Sequence, residues 1–138
     1  MSYTLLVEDN QGHARLFQRC LQEVDDKMQL CHIRDGQIAL DFFQNLSGVD
    51  EPPTLVVLDL KLPKVDGFQL LRQIKVQEKL QDVPVVVLTT SGKDSDRQLS
   101  YEYGAREFWS KPLAASTLRN FLNKQAVQKG VSHEKRNS

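Results

Sequence analysis

Four stretches of the chain place chemically capable side chains at the ends of aliphatic runs. LLVEDN supplies Glu8 and Asp9, LVVLDLKLPK supplies Asp59, VVVLTTS closes on Thr89, Thr90 and Ser91, and FWSKP closes on Ser110, Lys111 and Pro112. Asp59 poses the sharpest problem, because a carboxylate inside an apolar segment is costly to bury unless other groups compensate it. If the four stretches meet, three carboxylates, hydroxyls and an ammonium share one site. Three ionised carboxylates repel one another and need a cation, and hard oxygen ligands with room left for water suit Mg²⁺. A charged lysine stays outside the metal's ligand set but holds a phosphoryl oxygen as a point charge. A threonine hydroxyl can donate to another phosphoryl oxygen. The remaining role, nucleophile, suits the central carboxylate, as in aspartyl-phosphate chemistry.

The elements that must position these groups alternate along the chain. Strand-like runs are read at residues 3–8, 30–34, 54–60, 83–91 and 106–110. Helical spacing of apolar residues is read at 10–24, 37–46, 67–80 and 114–127, with a weakly apolar helix over 93–104 that ends on Gly104. Asn10 is placed to cap the first helix, and Asp66-Gly67 to start the third. Five strands alternating with five helices predict an α/β fold, a doubly wound parallel sheet covered on both faces. Ligands of such sheets bind beyond the carboxyl ends of the strands. That rule gathers Glu8, Asp9, Asp59, the Thr89–Ser91 segment and Lys111 at one end, and it explains how Asp59 escapes burial alone.

A chain of 138 residues suits one domain, expected over 1–127 and followed by a polar tail at 128–138 with almost nothing to bury, expected to be disordered. The 18 basic and 18 acidic residues cancel, so composition gives no electrostatic case for nucleic-acid binding. No apolar run reaches membrane-spanning length and the N-terminus lacks a signal-peptide pattern, which makes the cytoplasm the expected location. Cys20 and Cys31 have no metal-ligand spacing and read as buried thiols, while His13, His32 and His133 are scattered and read as non-ligands.

Together, LLVEDN, LVVLDLKLPKVDG, VVVLTTS and FWSKP resemble the signature segments of the response-regulator receiver domain of two-component signalling. The resemblance covers roughly residues 3–127, and the ED dipeptide, DLKLPK and VLTTS look most similar to the small receivers that work with phytochrome-type histidine kinases. It implies a flavodoxin-like (βα)5 domain with strand order 2-1-3-4-5. It further implies that Asp59 accepts a phosphoryl group from a histidine kinase or a small donor. Asp9, Asp59 and the Lys61 backbone carbonyl then match ligands of Mg²⁺, with Glu8 acting through water. Thr89 matches a switch hydroxyl, Lys111 the phosphoryl-binding lysine and Phe108 the switch aromatic, and the bond before Pro112 matches one that is often cis. The implied protein is a phosphoacceptor rather than an enzyme, with self-phosphorylation and autodephosphorylation as its only chemistry. Its implied output is a changed affinity for a downstream protein, with a homodimer the favoured state.

Three positions depart from the family pattern. Glu8 replaces the usual aspartate, Phe108 lacks a hydroxyl, and Lys61 brings an ammonium two residues after the acceptor. Lys61 is expected to pair with the phosphoryl group, or with Glu8 in its absence. Two other functions fit less well. An aspartyl-nucleophile phosphatase needs a second acid after the nucleophile, where this chain has Leu60-Lys61. A flavin-binding protein needs a phosphate cradle where this chain has Glu8-Asp9-Asn10. A receiver kept as an unphosphorylated docking module is the remaining alternative.

Overall fold

Short aliphatic runs and amphipathic segments resolve into a five-stranded parallel sheet flanked by helices on both faces. The computed structural model describes residues 3–46 and 51–128. Residues 47–50 of the expected loop, and the expected tail from residue 129 onward, lie outside the described residues. In chain order the elements are β1 (Tyr3–Val7), α1 (Gln11–Val24), β2 (Gln29–Ile33), α2 (Gly36–Gln44), β3 (Leu55–Leu58), α3 (Gly67–Lys75), β4 (Val85–Thr89), α4 (Asp94–Glu102), β5 (Glu107–Ser110) and α5 (Ala115–Gln128). The strand order is β2-β1-β3-β4-β5, as the sequence resemblance implied.

Alternation along each strand divides the core. Leu5, Val7, Val56, Leu58, Val85, Val87 and Phe108 face one side, where Phe43 of α2 and Leu71 and Ile74 of α3 cover them. Leu6, Leu55, Val57, Val86, Leu88 and Trp109 face the other, against Phe17 and Leu21 of α1 and Leu118 and Phe121 of α5. Both faces are apolar, which is why the central strands read as nearly continuous aliphatic runs. β2 differs because it pairs with β1 alone. Cys31, expected to be buried, is exposed on this edge strand, whereas Cys20 is buried beneath α1.

The segment 67–80, expected as one helix, is two pieces. α3 stops at Lys75, and Glu78–Leu80 forms a separate 3₁₀ turn. The Gln81 side chain donates to the carbonyls of Lys75 (2.8 Å) and Gln77 (3.0 Å), satisfying groups that a continuing helix would have used. The break lets Leu80 bury fully in the same core as Ile74. α4 ends as expected: Gly104 has φ +102°, its N–H bonds the Tyr101 carbonyl and that of Ala105 bonds the Ser100 carbonyl. That pair of bonds is a Schellman motif.

Gly67 fixes the segment after β3. A Cβ on Gly67 would lie 2.5 Å from the Leu60 Cα and 2.8 Å from the Asp59 carbonyl oxygen, because α3 starts against this backbone. Gly67→Ala is expected to destabilise the fold by about 1–3 kcal/mol through overpacking. Gly92→Ala, with nothing within 4 Å of the new Cβ, should stay within about 0.5 kcal/mol of the parent in urea unfolding. The thiols give a second expectation. Burial pushes the Cys20 thiol up, with Glu23 adding to the shift and Arg119 opposing it. A thiol reagent should therefore label Cys31 on the folded protein and reach Cys20 only after denaturation.

Candidate functional site

Register brings the acids together. Val7 of β1 lies beside Leu58 of β3, and each strand continues its ladder for one residue. The Asp59 N–H bonds the Val7 carbonyl at 3.2 Å, and the Glu8 N–H bonds the Ile33 carbonyl at 3.1 Å. Glu8 and Asp59 thus leave neighbouring strand ends side by side, with Asp9 one step further out. One carboxylate oxygen from each of the three lies within 4.8 Å of the others. Glu8 is 2% exposed and Asp59 7% exposed, while Asp9 faces solvent.

Lys111 arrives from the far strand. Its N–H bonds the Thr89 carbonyl (2.9 Å), extending β5 by one residue, and the Lys111-Pro112 bond is cis. Its side chain, 8% exposed, reaches back over the sheet. The Nζ lies 2.5 Å from Glu8 Oε1, 2.8 Å from Asp59 Oδ2 and 2.9 Å from His13 Nδ1. An ammonium has three protons to donate, and three acceptors surround it here. The other oxygens are held by backbone: Asp59 Oδ1 accepts from the Lys61 N–H at 3.1 Å and Glu8 Oε2 from the Asn10 N–H at 3.1 Å.

In the sequence His13 reads as a non-ligand like the other histidines, yet α1 delivers it to the site. The Asn10 side chain caps α1 by accepting from the His13 N–H (3.0 Å), which places this residue in the first turn beyond β1. The first turn of a helix that follows a strand always lies at the carboxyl end of the sheet, and that position was the available signal. Because His13 Nδ1 accepts from an ammonium, the neutral ring carries its proton on Nε2.

Lys61 departs from expectation. Glu8 is already paired with Lys111, and the exposed Lys61 ammonium makes no ion pair among the described residues. Thr89 is fully buried at the end of β4, and its Oγ1 accepts from the Ser91 N–H at 3.3 Å. Ser91 in turn donates to Asp96 of α4 (2.5 Å). Phe108 of β5 is buried beside Val87 of β4, and the Arg97 guanidinium of α4 stacks 5.0 Å from its ring centre.

Three carboxylates and one ammonium leave a formal charge of −2 in the cluster. Oxygen donors and that charge fit a hard divalent cation such as Mg²⁺.

The response regulator receiver domain matches residues 4–123. The chain belongs to that family. Among curated relatives of this receiver domain, the probable methanogenesis regulatory protein FilR2 of Methanothrix harundinacea is 42% identical over 116 residues, 83% of this chain and 75% of the relative. The response regulator Rcp1 of a Synechocystis strain is 42% identical over 100 residues, 71% of this chain and 68% of its own. The crystal structure of Mn²⁺-bound response regulator Rcp1 superposes with a TM-score of 0.72 at 34% identity, covering 91% of this chain and 92% of that one. The phosphorylated cyanobacterial phytochrome response regulator RcpA superposes with a TM-score of 0.74 at 31% identity, covering 91% of each. The fold is the flavodoxin-like fold of these receivers. Among the described residues no helix is long and apolar enough to cross a membrane.

Lys111→Met would leave two buried carboxylates without their cation. It is expected to cost about 3–5 kcal/mol in metal-free urea unfolding. Added Mg²⁺ should raise the unfolding midpoint of the parent protein by binding the folded state, and Asp9→Asn should remove most of that rise.

Proposed function

We propose that this receiver accepts a phosphoryl group on Asp59 from a histidine kinase, in the presence of Mg²⁺, and signals through a protein-binding surface that depends on phosphorylation. The observation that carries the reading is the Lys111 ammonium 2.8 Å from Asp59 Oδ2 at the mouth of a three-carboxylate cluster. Asp9, Asp59 and the Lys61 carbonyl would hold Mg²⁺, with Glu8 acting through water. Bound there, the ion supplies charge neutralisation for the phosphoryl oxygens.

The chain's own residues account for the rest. An Asp59 carboxylate oxygen attacks phosphorus in line, the P–N bond to the donor imidazole breaks, and its electron pair leaves with the ring. Lys111, already at hydrogen-bond distance from the nucleophile, turns one N–H toward a phosphoryl oxygen and stabilises charge as it develops. Thr89 Oγ1 accepts from Ser91, which leaves its hydroxyl proton for another phosphoryl oxygen. Moving Thr89 inward would loosen its bond to Ser91 and, through Ser91, the tie to Asp96 on α4. It would also open room for Phe108, which Arg97 of the same helix covers. Both connections end on α4, so the surface of α4, β5 and α5 is the expected two-state element. The likeness to RcpA, described as a phytochrome response regulator, supports a phytochrome-type kinase as the donor.

Intact-protein mass after incubation with acetyl phosphate tests the chemistry. One added phosphoryl group is expected with Mg²⁺, none with Asp59→Asn, and a rate lowered about 10²- to 10³-fold by Lys111→Ala. The solvent-facing Lys61 is expected to pair with the new phosphoryl group and shield it from water. The phosphorylated Lys61→Asn variant should then lose its phosphoryl group several-fold faster than the parent, and equal half-lives would remove Lys61 from the mechanism.

A further inference from the structure

Lys111 belongs to two environments. Its ammonium meets Asp59 and Glu8, and its side chain also walls a cavity of about 270 Å³ that lies outside the acid cluster. The cavity has an apolar wall of Leu16 and Phe17 from α1 and Leu88 from β4, and a polar rim of His13, Thr90 and Lys111. An apolar cavity of roughly 150 Å³ is large enough to bind benzene, so this one has room for an aromatic ring. It is also accessible, since Leu16 is 55% exposed at its wall.

Such a site asks for a ligand with an anionic end beside the ammonium and an apolar end against the leucines and Phe17. We propose that the cavity is a subsite for the apolar leaving group of a small-molecule phosphodonor, namely an acyl phosphate whose acyl group is aromatic or branched. The proposal rests on Asp59 being the phosphoacceptor. With the phosphoryl group between Asp59 and Lys111, the acyl group extends past the lysine into the cavity. A carboxylate oxygen of Asp59 forms the new P–O bond and the P–O bond of the mixed anhydride breaks. Its electron pair departs with the acyl carboxylate, which needs no proton near neutral pH. The leaving carboxylate emerges beside His13, whose Nδ1 is occupied by Lys111 and whose Nε2–H remains as a donor. Lys111 then joins the two halves of the donor: it neutralises the phosphoryl end and shapes the pocket for the other.

The test compares second-order rate constants for phosphorylation of the full chain by benzoyl phosphate and acetyl phosphate with Mg²⁺, read by intact mass, in the parent and in Leu16→Asp. Burial of the phenyl group should favour benzoyl phosphate by roughly tenfold or more in the parent. The ratio should collapse toward the intrinsic reactivity ratio, measured with a free carboxylate, in Leu16→Asp. Leu16 is exposed enough for this variant to fold, which an unchanged urea midpoint would verify. A parent ratio equal to the intrinsic one, or a preference that survives Leu16→Asp, overturns the subsite while acetyl phosphate still labels Asp59. If Leu16→Asp keeps the preference but loses transfer from a histidine kinase, the cavity belongs to a protein side chain and the subsite is again overturned. Failure of both donors would overturn the subsite, while transfer to Asp59 from a histidine kinase tests the phosphoacceptor reading separately.

Discussion

The carboxyl end of the sheet is organised by one shared cation. Glu8 and Asp59 are both nearly inaccessible to water, a placement that is unfavourable for either acid alone and worse for the two together. The Lys111 ammonium lies within hydrogen-bond distance of both. Because β1, β3 and β5 each contribute one member of this trio, the alignment of three strands is tied to the electrostatics of three side chains. The arrangement remains acid-rich even so, since Asp9 adds a further carboxylate that the lysine does not contact. The residual negative charge is what makes the cluster receptive to a divalent cation, and a cation there would free the lysine for a different anion.

The strands were largely legible because burial on both faces leaves little ambiguity. LVVL and VVVLT are buried at every position, and their parallel order follows from the helices between them. The acids, Thr89 and Lys111 were legible for the related reason that a polar group ending such a run has only one end of the sheet to go to. What stayed hidden depended on side chains meeting across the fold. The stop at Lys75 was hard to read, because the group that satisfies the Lys75 carbonyl is an amide six residues later. Cys31 reads as strand interior, and only the position of β2 at the edge exposes it. His13 looked isolated because its partner is 98 residues away.

The same distinction separates the acid cluster from its connection to α4. The acid cluster rests on register, which a sequence can specify one residue at a time. The link from Thr89 to α4 rests on a chain of contacts through Ser91 to Asp96, joined by the stack of Arg97 on Phe108. α4 buries Ser100 as its one fully enclosed residue and is the least apolar of the helices. Its contacts near the start are polar, and both sets lead back to the proposed phosphoryl site.

Trp109 adds a practical consequence. It is the chain's single tryptophan, and it follows Phe108 directly on β5 while facing the opposite side of the sheet. Its indole N–H bonds Glu107 at 2.7 Å and its ring meets Phe121 edge-on at 5.4 Å. A shift of the β5 backbone at Phe108 would reach, through one peptide unit, a fluorophore held by a carboxylate on one side and an aromatic ring on the other. The protein therefore carries its own optical reporter of the β5 backbone, with no competing tryptophan emission and no label to attach.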